Sequence, residues 1–199
     1  MPKPKPKPPQ RTDLPIRTFA SQAAWEKWLE QHHEKSEGLW LKMAKQSTGI
    51  PSVNYQEALE VALCFGWIDG LKSAFDATWW MQRFTPRRPR SKWSKINCGK
   101  IEQLLEQKKL RPAGLREVAA AKGDGRWEAA YLGQSAATLP PDFAKLLEQR
   151  PKARAAWDEL SSANRYSVIY WLHDAKKEET RQRRIQQFLT RLESGKPFR

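Results

Sequence analysis

Asn54-Tyr-Gln-Glu-Ala-Leu-Glu-Val-Ala-Leu-Cys-Phe-Gly-Trp-Ile-Asp-Gly-Leu71 decides the fold, because it joins a well-signalled helix to strand structure without a linker. Asn54 followed three residues later by Glu57 has the form of a capping box, in which each side chain satisfies the other residue's backbone N–H. Ala58, Leu59, Ala62 and Phe65 then recur at helical spacing, and Gly66 supplies the stop. Beyond it, Trp67-Ile68 and Leu71 flank Asp69-Gly70, a dipeptide suited to the positive φ values of a tight hairpin turn. A second extended run from Ala77 to Phe84 is rich in aromatic residues, so the sequence predicts a hairpin over Trp67–Phe84.

Working outward, Ser21 caps a predicted helix carrying Ala24, Trp25, Trp28 and Leu29 on one side and ending near His33. Leu39-Trp-Leu-Lys-Met-Ala44 suits a strand, and Gly49-Ile-Pro-Ser52 interrupts the chain after it. Thr85 to Ser91 reads as a Pro/Arg loop. Lys95 to Gln107 reads as a helix with Ile101, Leu104 and Leu105 inward, and Pro112 opens another through Leu115, Val118 and Ala119. Leu139-Pro-Pro-Asp142 looks like a linker into a helical tail, with further starts at Pro151 and at Ser161 or Ser162. The last helix is amphipathic: Ile185, Phe188, Leu189 and Leu192 fall at i, i+3, i+4 and i+7, while Arg181, Arg183, Arg184 and Arg191 mostly point elsewhere. The fold class expected is α+β, a small antiparallel sheet with packed helices followed by an all-helical C-terminal unit. Its divisions are residues 1–15, a disordered Pro/Lys arm; residues 16–135, the α+β region; and residues 136–199, the helical domain.

Composition narrows the functional classes. Ten tryptophans and 39% hydrophobic residues in 199 are enough for a packed core, so the charge belongs to a folded exterior. The longest apolar run, Val61 to Ile68, is far short of the roughly 20 residues of a membrane-spanning helix. Met1 to Gln10 alternates proline with lysine and has no apolar signal region, and the two cysteines, Cys64 and Cys98, form no CxxC pair. These features point to a reducing, cytoplasmic location without disulfides. His32, His33 and His173 lack ligand spacing, and neither a GxSxG nor a phosphate-binding loop occurs, so no metal, cofactor or recognised catalytic signature is expected.

A net charge of +14 favours an anionic small molecule or a nucleic acid as partner. Ala77 to Ile101 contains no acidic residue but seven cations: Arg83, Arg87, Arg88, Arg90, Lys92, Lys95 and Lys100. Guanidinium groups bind phosphate or carboxylate bidentately, and Pro86 and Pro89 limit the entropy lost when such a loop is held in place. The expected ligand-binding set is Trp67, Asp69, Arg83, Thr85, Arg87, Arg88, Ser91, Lys92, Trp93 and Ser94. Ser94 there directs N–H groups of the following helix at the anion. The competing reading is a solvated basic loop paired with Glu57 or Asp69. Trp79, Trp80, Phe84 and Trp93 interleave with the cations as base-stacking platforms do, or else fill the core; a strand sends Trp79 and Trp80 to opposite faces. Asp69 stands as a general base, a partner for Arg83, or a turn residue. Cys64, near a helix C-terminus, is not expected to ionise.

Tyr55-Gln-Glu-Ala58, Cys64-Phe-Gly-Trp-Ile-Asp-Gly70, Arg83-Phe-Thr-Pro-Arg-Arg88, Ser91-Lys-Trp-Ser94, Gly125-Arg-Trp127, Trp171-Leu-His-Asp-Ala-Lys176, Glu179-Thr-Arg181 and Arg183-Arg-Ile185 resemble the YdeI/OmpD-associated, or bacteriocin-protection, family from about Phe19 to Leu192. The resemblance implies bacterial origin and a label linking members to outer-membrane porin function and to resistance against cationic antimicrobial peptides. It transfers no catalytic residues. A chain of +14 repels cationic peptides, so the label does not imply that it sequesters them. The leading expectation is a non-enzymatic binding protein with a basic anion site. The alternatives are a nucleic-acid-binding module and an enzyme acting on a small phosphorylated or carboxylated substrate with Asp69 as base.

Overall fold

The computed structural model describes residues 14–195, so the arm expected at the N-terminus lies, up to Asp13, outside the described residues. The chain is α+β and divides into two compact units. One comprises the described residues up to Ser91 together with Asn97–Glu128, and the other comprises Lys92–Ile96 and the residues from Ala129 onward.

In the first unit, β1 (Ile16–Arg17), α1 (Gln22–His32) and β2 (Leu39–Ala44) precede α2 (Tyr55–Cys64), β3 (Trp67–Ala74) and β4 (Trp79–Pro86). The sheet order is β1-β2-β4-β3. It is mixed, which amends the expected antiparallel sheet: β1 runs parallel to β2 because α1 carries the chain back between them. The capping box forms as the sequence dictates, with Glu57 N–H donating to Asn54 Oδ1 at 3.1 Å and Asn54 N–H donating to Glu57 Oε2 at 3.0 Å. Gly66, at φ +72°, ends the helix.

The Asp69-Gly70 turn does not form. β3 runs through both residues, with Asp69 beside Phe84 and a register shift between Asp69 and Lys72. The chain reverses instead at residues 75–78, where Asp76 Oδ1 accepts the N–H groups of Thr78 and Trp79, each at 2.7 Å. The physical reason is burial. This register places Trp67 and Phe84 on the covered face, at 1% and 0% exposure, and a slip of one residue would turn each to the opposite face. Trp67 meets Trp25 of α1 edge-on at 6.2 Å. Burying rings of this kind removes roughly 150–250 Å² each from water, about 4–6 kcal/mol of transfer free energy per ring. A turn preference is worth far less.

α3 (Lys95–Glu106) and α4 (Pro112–Gly123) follow, and α4 packs against α2. Ile101 and Leu104 are buried, but Leu105 is 36% exposed, against the expectation that all three point inward. One residue past Leu104 is a further 100° around the helix.

The second unit contains α5 (Pro141–Glu148), α6 (Pro151–Glu159), α7 (Ser162–His173) and α8 (Glu178–Glu193). Phe143, Leu147, Trp157, Val168, Leu172, Ile185, Leu189 and Leu192 form its core. The segment Lys92–Ile96 joins this unit by backbone pairing: Tyr131 N–H donates to Trp93 O at 3.0 Å, and Lys95 N–H donates to Tyr131 O at 2.8 Å. Among the described residues no helix is long and apolar enough to cross a membrane.

Candidate anion-binding face of the sheet

The alternation in β2 gives the sheet two faces of different chemistry. Leu39, Leu41 and Met43 pair with Phe84, Gln82 and Trp80 on the face covered by α1 and α2, whereas Trp40, Lys42 and Ala44 pair with Arg83, Met81 and Trp79 on the other. Across β4, Thr85 pairs with Ile68 and Met81 with Ser73. Every side chain named on this second face is partly exposed, and none is acidic.

Arg83 stands near the middle of that face, opposite the register shift in β3. Its guanidinium packs over Gly70 so closely that an added Cβ there would lie 3.0 Å from Nε and 3.1 Å from Nη2. Glycine is therefore used for close approach and not for a turn. The Arg83 Nε is buried and donates to no acceptor, and no carboxylate among the described residues pairs with Arg83. A buried donor left unmet costs about 1–3 kcal/mol, more when it is charged; the terminal guanidinium nitrogens are not among the buried unmet atoms, and it is these that an anion on the exposed side would meet. At the hairpin end, Lys42 Nζ lies 4.6 Å from the ring centroid of Phe75 and 4.7 Å from that of Trp79. The two rings hold the ammonium beside the strand.

The expected site residues are not gathered into one loop. Trp67 is a core residue whose Nε1 donates to His33 O at 3.2 Å, so it is not available to a ligand. Asp69 lies on the covered face beside Phe84 and accepts a hydrogen bond from Tyr55 Oη at 2.9 Å, so it does not partner Arg83. Glu57 is likewise held by the capping box. Thr85 shares the open face with Arg83. Arg87 is only 6% exposed, and its N–H donates to Gly66 O, which makes it part of the packed structure and not a loop cation. Arg88 is exposed, and its backbone N–H donates to Ser91 Oγ at 2.9 Å. Ser91 O in turn accepts from Arg126 Nη1 at 2.9 Å.

Lys92, Trp93 and Ser94 belong to the second unit. Lys92 Nζ bonds Asp174 and donates to Tyr170 Oη at 3.0 Å. Burial lowers its pKa, but those two partners more than offset this and leave it raised. Trp93 is 2% exposed and Ser94 8%, and the backbone of this segment is committed to Tyr131. Burial therefore corrects the assignment of Trp93 as a ligand contact and of Ser94 as an N–H donor to an anion.

Trp79 and Trp80 do take opposite faces: Trp80 packs 6.3 Å from Tyr55, with Lys72 Nζ 4.5 Å from its centroid. Burial pushes the Cys64 thiol up to about 11, so it is no nucleophile. Trp40, Lys42 and Phe75 were missing from the expected set. The signal for the first two was present, since the strict alternation of Leu39 to Met43 sends both away from the core. Phe75 had none, because its position depends on where the hairpin turns.

A groove of about 1030 Å³ runs along α7 and α8, with Trp171, Phe188, Arg183 and Arg184 in its wall. Arg184 is engaged there: it donates to Trp171 O and lies 3.8 Å from Asp174.

The family described as Domain of unknown function (DUF8412) matches residues 17–117, and the family described as Bacteriocin-protection, YdeI or OmpD-Associated matches residues 136–195. No curated protein and no solved structure matches the chain.

Proposed function

Because the chain belongs to the DUF8412 family and carries a bacteriocin-protection, YdeI or OmpD-associated region, and neither description states a chemistry, we propose from the geometry that it is a non-enzymatic binding protein with a basic site for an anionic ligand. The site is the open face of the sheet, centred on Arg83, and not the loop that follows it. One observation carries the reading: among the described residues the Arg83 guanidinium meets no carboxylate, and none of the side chains paired on its face of the sheet is acidic. The ligand brings a phosphate or carboxylate to that fork, where two parallel charge-assisted bonds are available. Asp69 lies on the opposite face, bonded by Tyr55 Oη, and so takes no part in this site.

The test is a thermal-shift titration of the full chain with inorganic phosphate, nucleoside monophosphates and small dicarboxylates, at low and moderate salt. A bound anion stabilises the native state by about 2.7 kcal/mol at a hundredfold excess over Kd. Arg83→Gln should abolish the shift, Arg83→Lys should keep part of it, and neither should disturb folding. A shift of the same size in Arg83→Gln removes this face from consideration.

A further inference from the structure

Resting on the reading of Arg83 as an anion seat, we infer that the open face of the sheet is a platform for single-stranded nucleic acid, with a backbone phosphate at Arg83 and bases laid against Trp40 and against the Phe75–Trp79 corner. Rings and cations alternate along this face. Trp40 is the cross-strand partner of Arg83, and Lys42 stands between Phe75 and Trp79, with Met81 as its own partner. Phe75 is 46% exposed, so the hairpin end presents apolar surface to solvent next to the Lys42 ammonium, and Leu71, further along β3, is 60% exposed. Isolated anions do not require that surface. An unpaired strand does, because each base offers a flat ring and each linkage a negative charge.

The spacing also fits a polymer better than a single anion. Trp79 and Arg83 are four residues apart on one strand, which at roughly 3.3 Å per residue is about 13 Å. A stacked strand rises roughly 3.4 Å per nucleotide, so the face spans several nucleotide steps, fewer if the strand is extended. A duplex hides its ring faces, which leaves exposed aromatic rings nothing to stack on. Charge complements the occupant: no acidic residue occurs from Ala77 to Ile101, and the chain carries +14.

The experiment is fluorescence anisotropy of the full chain with end-labelled 12-mers, single-stranded dT and rA and a duplex of equal length, from 50 to 300 mM NaCl, beside titrations with inorganic phosphate. The single strands should bind with log K falling against log salt by at least about 1.4, two phosphates at roughly 0.7 each, and the duplex about tenfold more weakly. Trp79→Thr and Phe75→Thr should each weaken the oligonucleotide about tenfold, as loss of a stacked base does, and leave inorganic phosphate within twofold. Phe75, at the exposed hairpin end, keeps the test available should Trp79→Thr fail to fold. Equal binding of duplex and single strand, a salt slope no steeper than one phosphate gives, or indifference to both aromatic substitutions overturns the platform while leaving the phosphate seat standing. Indifference of phosphate and oligonucleotide alike to Arg83→Gln overturns both.

Discussion

On α8 of the second unit, Arg181 is clasped by both oxygens of Asp142 at 2.7 to 3.0 Å and donates as well to Leu172 O at 2.8 Å, whereas on the sheet of the first unit Arg83 meets no carboxylate among the described residues. In the same unit Asp174 bonds Lys92 and lies 3.8 Å from Arg184. The helical unit thus spends these cations on its own architecture, while the sheet leaves at least one unspent. Positive charge in a sequence is therefore no measure of binding capacity; what matters is whether a carboxylate falls within reach after folding. Nearness in sequence does not explain the contrast: Asp142 lies 39 residues from Arg181, whereas Asp76 stands much nearer to Arg83 in the chain and is used instead to cap the hairpin turn.

Matched substitutions test that contrast most directly. Arg181→Met should cost about 2 kcal/mol, the worth of a bidentate charge-assisted pair with a carbonyl bond added, trimmed by screening because Asp142 is two-fifths exposed. Arg83→Met should cost nothing, or stabilise by up to about 1 kcal/mol, since it removes an unmet buried donor. Urea melts of both variants would measure the difference, and equal losses would erase the distinction between the two arginines.

A smaller effect should appear with pH. Partial burial raises the Asp142 carboxyl, but the bonds from Arg181 and from Phe143 N–H outweigh this and hold its pKa below the ordinary carboxylate value. A lowered native pKa means that the unfolded chain binds the proton first as pH falls, so the contribution is full above about pH 5 and lost as pH drops through the native value. The stability gap between the native protein and Asp142→Asn should be constant above that point and should close in acid. A gap that widens in acid would reverse the assignment.

Gly70→Ala should also change stability little. Its φ lies outside the left-handed region, so alanine is tolerated by the backbone, and the mobile end of Arg83 can give way. Net stability should move by less than about 1 kcal/mol, yet phosphate affinity should fall several-fold because the guanidinium is displaced. Unchanged affinity would mean that the seat does not depend on that close approach.

The course of α1, α2 and β2 was legible in the chain because their signals are local: Ser21, the Asn54–Glu57 pair, Gly66 and the alternation from Leu39 to Met43 each act within a few residues. The α+β class followed from them, as did the opposite facing of Trp79 and Trp80. The candidate face was legible only in part. Arg83 and Thr85 were expected, but they are joined by residues distant in sequence, and Trp67, Arg87, Trp93 and Ser94 turned out to be packed inside.

By itself the sequence determined where cations, rings and helix ends stand along the chain, since these depend on composition and on near neighbours. Tertiary structure alone decided that Asp69-Gly70 continues a strand, that Lys92 is spent on Asp174 while Arg83 is not, and that Trp40 and Lys42 share a face with it. The reason is that burial of Trp67 and Phe84 fixes the strand register. Register in turn assigns every neighbouring side chain to one face or the other, and no local preference is strong enough to overrule it.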